Sequence, residues 1–148
     1  MAALNPNYTD AARKIIGAAG WKVTIDAKVN RSTAQGVGVV QAHRAQLGDT
    51  VVVMLGQNDG ATPSLFAARA QKVMAALARV PHVYWLTMRL PTYAGADQVL
   101  GTLTTKYRNL KLIDWAHAVR PGWTAKDGLH LSGAGASGMA RLIVASIK

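Results

Sequence analysis

The chain alternates stretches of helical periodicity with short apolar runs. Thr9 can cap a helix in which Ala11, Ile15, Ile16 and Ala19 share one face, and Gly20 ends it. From Trp21 to Ala27, Val23 and Ile25 alternate with Lys22, Thr24 and Asp26, which predicts a strand. Ser32 or Thr33 caps a second helix through Val39, Val40, His43 and Leu47, weakened by Gly36 and Gly38. Gly48-Asp49 then turns the chain into the continuous apolar run Val51-Val52-Val53-Met54-Leu55, the pattern of a parallel strand covered on both faces.

The same alternation fills the second half. After a loop from Gly56 to Thr62, Pro63 suits the first turn of a helix reaching about Arg79. His82 to Met88 reads as a strand, Ala94 to Tyr107 as a helix, and Leu110 to Ile113 as a short strand leading into Asp114-Trp115. A loop through Pro121 to Lys126 precedes a last helix capped by Ser132, with Met139, Leu142, Ile143 and Ile147 facing inward. Strands alternating with helices predict an α/β sandwich around a parallel sheet, with chemistry gathered in the loops at the carboxyl ends of strands.

The 148 residues suffice for one domain with a sizeable core, here residues 1–148. There is no cysteine, which excludes disulfides, zinc–thiolate sites and cysteine nucleophiles. Net charge is +10 and the acids are seven aspartates. Yet the cations are scattered, with Arg13-Lys14 the only adjacent pair and no aromatic interleaving. That pattern suits an anionic surface or glycan better than specific nucleic-acid binding. No apolar run approaches a membrane span, and residues 1–6 are too short for a signal peptide.

Two strings carry candidate chemistry. A hydrolytic base needs an imidazole whose far nitrogen is held by a carboxylate, and Asp127-Gly128-Leu129-His130 offers one three residues from the other. Alone, such a pair is common on protein surfaces. The second string, Gly56-Gln57-Asn58-Asp59, ends the apolar run; its Asn and Asp either build a turn or present an amide to a developing oxyanion. His43, His82 and His117 have ordinary places on helix faces or strand ends, and no pair has metal-site spacing.

The string from Asp127 to Gly135, Asp-Gly-Leu-His-Leu-Ser-Gly-Ala-Gly, together with Gly56-Gln57-Asn58-Asp59, resembles two of the four signature blocks of the SGNH (GDSL-like) esterase and acyl-hydrolase family. The resemblance implies a three-layer α/β/α sandwich with a flavodoxin-like parallel sheet, with His130 as general base, Asp127 as its orienter and Asn58 as oxyanion donor. Leu112-Ile113-Asp114-Trp115 and Pro121-Gly122-Trp123 resemble the approach to the last block in bacterial members, including domains appended to envelope acyltransferases, which points to ester or acyl chemistry on a glycan or cell-envelope component. The resemblance implies no metal or organic cofactor. The segment Asn30-Arg31-Ser32-Thr33 resembles the second block, where a glycine backbone N–H completes the oxyanion hole; here Asn30 stands at that position. Gly56 opens the other oxyanion-binding loop.

The family's nucleophile is the serine of a Gly-Asp-Ser block, and this sequence has none. Of its five serines, Ser32 lies in the right region, but helix capping accounts for it and the family does not use that position. In the family the strand carrying Gly-Asp-Ser is central. The resemblance therefore implies a truncated N-terminus and a strand that belongs between residues 21–27 and 51–55. A preceding segment or a partner chain could supply it. A non-catalytic binding or structural subunit of an assembly is the alternative.

Overall fold

The computed structural model describes residues 6–59 and 62–147. Residues 1–5, discussed above for a leader, and Gly60 and Ala61 of the loop after the apolar run lie outside them. Three strands, β1 (Thr50–Val53), β2 (His82–Leu86) and β3 (Leu110–Ile113), form one parallel sheet in the order β1-β2-β3. Thr50 stands opposite His82 and Val53 opposite Trp85; Val83 stands opposite Leu110 and Leu86 opposite Ile113. Among the described residues six α-helices surround the sheet: α1 (Pro6–Ala18), α2 (Thr33–Ala42), α3 (Pro63–Ala76), α4 (Ala94–Lys106), α5 (Trp115–Ala118) and α6 (Gly133–Ser146).

The period of two along each strand sorts the side chains into two cores. Val53, Val83, Trp85 and Leu110 face Phe66, Ala70 and Val73 of α3 and Leu100 and Leu103 of α4, with Val37 and Val40 of α2 at the margin. Tyr84, Leu86 and Ile113 face the other way, against Trp115 of α5 and Ala136 and Met139 of α6, and α1 packs on α6. Helices cover both faces, so the fold is α/β, as the alternation of patterns predicts. Among the described residues no helix is long and apolar enough to cross a membrane.

Local chemistry sets most boundaries. Ser32 caps α2 with a reciprocal box: it accepts from the Gln35 N–H, and the Gln35 side chain accepts from the Ser32 N–H. Pro63 opens α3, which ends at Ala76, three residues before Arg79. β2 ends at Leu86: the Thr87 N–H still reaches the Ile113 carbonyl at 3.0 Å, but the Met88 N–H turns to the Asp97 carboxylate at 2.9 and 3.2 Å. α2 is shorter than expected, giving way to a 3-10 turn over Arg44–Gln46 before Leu47.

One expected element is corrected. Residues 21–27 do not form a strand. Their side chains keep the alternation, with Trp21, Val23, Ile25 and Ala27 half-buried and Lys22, Thr24 and Asp26 exposed. But a strand is defined by the ladder it makes, and among the described residues this segment pairs with nothing. Trp21 packs against the α6-side core, and Asp26 is tied by Arg31 at 2.5 Å and His43 at 3.3 Å. β1 likewise pairs only with β2 among the described residues.

Candidate active site

Asp127 and His130 lie in the loop that leads into α6. Gly128 turns that loop with φ 69°, a conformation glycine adopts without strain. Asp127 closes it from inside: one carboxylate oxygen accepts from the Leu129 N–H at 2.9 Å and the His130 N–H at 3.0 Å. The other oxygen meets His130 Nδ1 at 2.5 Å. The Nδ1–H therefore points at the carboxylate, and Nε2 faces outward on a half-exposed ring. The hydrogen bond from His130, with those two backbone donors, holds the exposed Asp127 carboxyl down at about 2.

The loop is anchored on both sides. Thr124 and Leu131 form an antiparallel bridge; the Ser132 N–H donates to the Trp123 carbonyl at 2.9 Å, and the Ala125 N–H to the His130 carbonyl at 2.7 Å. Ser132 then caps α6, accepting from the Gly135 N–H at 3.1 Å while its hydroxyl donates to the Gly122 carbonyl at 2.6 Å. Trp123 fits only because α6 is bare beneath it. A Cβ on Gly135 would lie 1.8 Å from the Trp123 carbonyl oxygen, and one on Gly138 2.5 Å from its ring.

Asn58 sits in the loop after β1. Gly56, at φ 127° and buried, starts that loop and its carbonyl accepts from the Asp59 N–H at 3.1 Å. The Asn58 amide donates to the Arg31 carbonyl at 3.1 Å, which brings Asn58 beside Asn30-Arg31. Asn30 has φ 56°, the left-handed conformation that glycine takes most readily and Asn tolerates. Asp59 is buried and joins the two loops. It accepts from the Thr33 N–H at 3.0 and 3.1 Å and from the Thr33 hydroxyl at 2.5 Å, and it pairs with Arg69 of α3 at 2.5 Å.

Both loops meet the segment that follows β2. Tyr93 donates its hydroxyl to the Gln57 carbonyl at 3.1 Å, and Arg89 donates to the Gly128 carbonyl at 3.1 Å. Asn30, Gly56 and Asn58 thus form one group and Asp127 and His130 another, bridged by residues 89–93 at the carboxyl end of the sheet. Ser32 is spent on its capping box. Arg89 and Tyr93 were not singled out from the sequence, since a lone Arg or Tyr in a loop carries no pattern.

A second Asp-x-x-His pair also escaped the sequence reading. Asp114 caps α5, accepting from the His117 N–H at 3.2 Å, and meets His117 Nδ1 at 2.9 Å, while the Thr87 hydroxyl donates to it at 3.3 Å. Partial burial opposes the Asp114 charge, but the His117 and Thr87 hydrogen bonds outweigh it and hold the carboxyl below its ordinary range. Asp97 goes the other way: burial raises it, against the Met88 hydrogen bond.

No protein-family model matches the chain. Over 131 residues, 84% of this chain, it is 29% identical to the O-acetyltransferase OatA of Staphylococcus aureus strain NCTC 8325, and the strain COL and MRSA252 proteins match equally. The match takes in 21% of the length of those proteins, so the chain spans about a fifth of the curated relatives it resembles.

Proposed function

We propose that this chain supplies the base and the oxyanion-binding groups of a serine acyl-transfer site acting on an ester, with an acylated glycan or envelope component as substrate. The observation that carries the reading is the hydrogen bond between His130 Nδ1 and Asp127, which leaves Nε2 free for a substrate, while the Asn58 amide is held beside Asn30-Arg31. Similarity to an O-acetyltransferase supports an acyl- or acetyl-related function. The nucleophile comes from a strand seated between β1 and residues 21–27, carried by a preceding segment or a partner chain.

In this scheme His130 Nε2 takes the serine proton as the serine oxygen attacks the ester carbonyl. The carbonyl π pair moves to oxygen, and Asn58 with the Asn30 N–H receives that negative charge. Asp127 steadies the imidazolium. Collapse expels the alcohol, which takes the proton from His130 and leaves an acyl-serine. Water then completes a hydrolysis, or an acceptor hydroxyl completes a transfer, with His130 again as base.

The reading is tested by fusing a short strand ending in Gly-Asp-Ser ahead of residue 1. Hydrolysis of a short-chain aryl ester and labelling by a fluorophosphonate should appear, and should vanish in His130→Ala and in the Ser→Ala fusion. A folded fusion with its strand paired but no His130-dependent turnover overturns the proposal. That result would favour a non-catalytic subunit, a reading that also fits the engagement of the Ser32, Ser132 and Ser146 hydroxyls in local hydrogen bonds.

A further inference from the structure

Apart from the Asp127–His130 loop lies a groove between the segment after α5 and one flank of α6. Ala118, Arg120 and Trp123 form one wall and Gly138, Arg141 and Leu142 the other, around a cavity of about 380 Å³. Gly138, Arg141 and Leu142 are three and four residues apart on α6 and so share a face. The edge of the Trp123 ring packs on the bare Gly138 backbone, which joins the two walls. The ring is fixed, since it stacks on Trp115 with centroids 6.0 Å apart and planes 14° from parallel.

Two cations stand at this apolar floor. The Arg120 guanidinium lies over the Trp123 ring, 5.5 Å from its centroid, a cation–π contact that holds it at the groove. Arg141 rises from the opposite wall. Among the described residues neither guanidinium has a carboxylate partner. An anion in the groove can accept paired N–H bonds from a guanidinium fork. The floor, however, is apolar, so a small hydrated ion would forfeit solvation there and leave the apolar surface unfilled. A ligand that meets both walls carries its charge at one end and an apolar body at the other. The volume is at the lower end of small-molecule sites.

We propose that this groove binds a small carboxylate with a short apolar body, its carboxylate between Arg120 and Arg141 and its body against Trp123 and Leu142. The proposal uses none of Asp127, His130 or Asn58, and its test reads binding rather than turnover. It stands or falls separately from the acyl-transfer reading.

The experiment is a titration of the 148-residue chain with hexanoate, followed by amide and indole N–H chemical shifts, with hexanol and hexylammonium as comparators. Hexanoate should produce saturable shifts centred on the Trp123 indole and the Gly138 amide, with hexanol and hexylammonium at least about tenfold weaker. Arg120→Gln and Arg141→Gln should each weaken hexanoate about tenfold, as loss of a charge-assisted hydrogen-bonding partner predicts. Arg108→Gln, which lies outside the groove, should leave it unchanged, and the spectra themselves report that each variant is folded. Equal binding of hexanol and hexanoate, shifts scattered over the basic surface, native affinity in both Gln variants, or no saturable shift overturns the proposal.

Discussion

Replacing Gly135 by Ala sets two effects of opposite sign against each other. Gly135 lies in the first turn of α6, where the gain of Ala over Gly is at most the helix-interior figure of about 1 kcal/mol. But the new Cβ would stand 1.8 Å from the Trp123 carbonyl oxygen, 2.7 Å from its carbon and 3.1 Å from its Cα. These are backbone atoms and cannot rotate away, so the 123–125 segment must retreat by more than an ångström from α6. The Ser132 N–H to Trp123 bond, now 2.9 Å, does not survive such a shift. Overpacking costs about 1–3 kcal/mol and the lost hydrogen bond about 1 kcal/mol. The clash wins: even with the full Gly-to-Ala gain subtracted, the net loss is about 1–3 kcal/mol. At this chain length that lowers Tm by about 2–12 °C. Gly101→Ala is the control: Gly101 lies within α4 with no atom within 4 Å of the added Cβ, so it should gain up to about 1 kcal/mol. Urea denaturation of both variants beside the parent decides the matter. Gly135→Ala as stable as the parent, with Gly101→Ala behaving as expected, refutes the reasoning.

The carboxyl carbon shift of Asp127 should titrate at about 2 and move up in His130→Ala, because the His130 hydrogen bond is its largest cause. The folded-state value is depressed below the ordinary 3.8, so the stabilisation is complete above that pH and is lost as pH falls through about 2; an unmoved midpoint in the variant contradicts this. Burial raises the Asp97 carboxyl, so its ionisation opposes folding as pH rises through the folded-state value. Asp97→Asn keeps an acceptor for the Met88 N–H and should be at least as stable as the parent at neutral pH, with the gap closing in acid; a gap independent of pH would argue otherwise. Asp59→Ala strands Arg69 and the Thr33 donors and should cost about 3 kcal/mol in urea denaturation; a loss below about 1 kcal/mol would remove Asp59 as the joint of the two loops. In the serine-bearing fusion, Asn58→Ala should lower kcat by about 10²–10³, and an unchanged kcat would return Asn58 to turn-building.

Sequence patterns that act locally were the legible ones. β3 spans Leu110–Ile113, the short strand read from the sequence, and Ser32, Pro63 and Ser132 mark the starts of α2, α3 and α6, because caps and first-turn prolines depend on neighbours within one turn. The Asp127–His130 contact was legible for the same reason, spanning three residues. Residues 21–27 show where this fails: alternation reports which side chains face a core, while a strand also needs a partner that the pattern cannot name. The Asp59–Thr33 and Trp123–Gly135 contacts were invisible, since nothing local ties a residue to one 26 or 12 positions away. Only packing shows that Trp123 occupies the space left by Gly135 and Gly138.

The Asp59 carboxylate has a consequence for motion. By binding Thr33 at the start of α2 and Arg69 within α3, it makes residues 30–33 and 56–59 parts of one mechanical body. The loop bearing His130 is bolted instead to the first turn of α6 and to Trp123, on the opposite face of the sheet. Two rigid blocks therefore meet across a seam held by the Tyr93 and Arg89 side chains. Thermal breathing is expected to open that seam before either block, so that Asn30 and Asn58 move together rather than with the imidazole. Amide exchange should divide along the same line, with one opening free energy for each block.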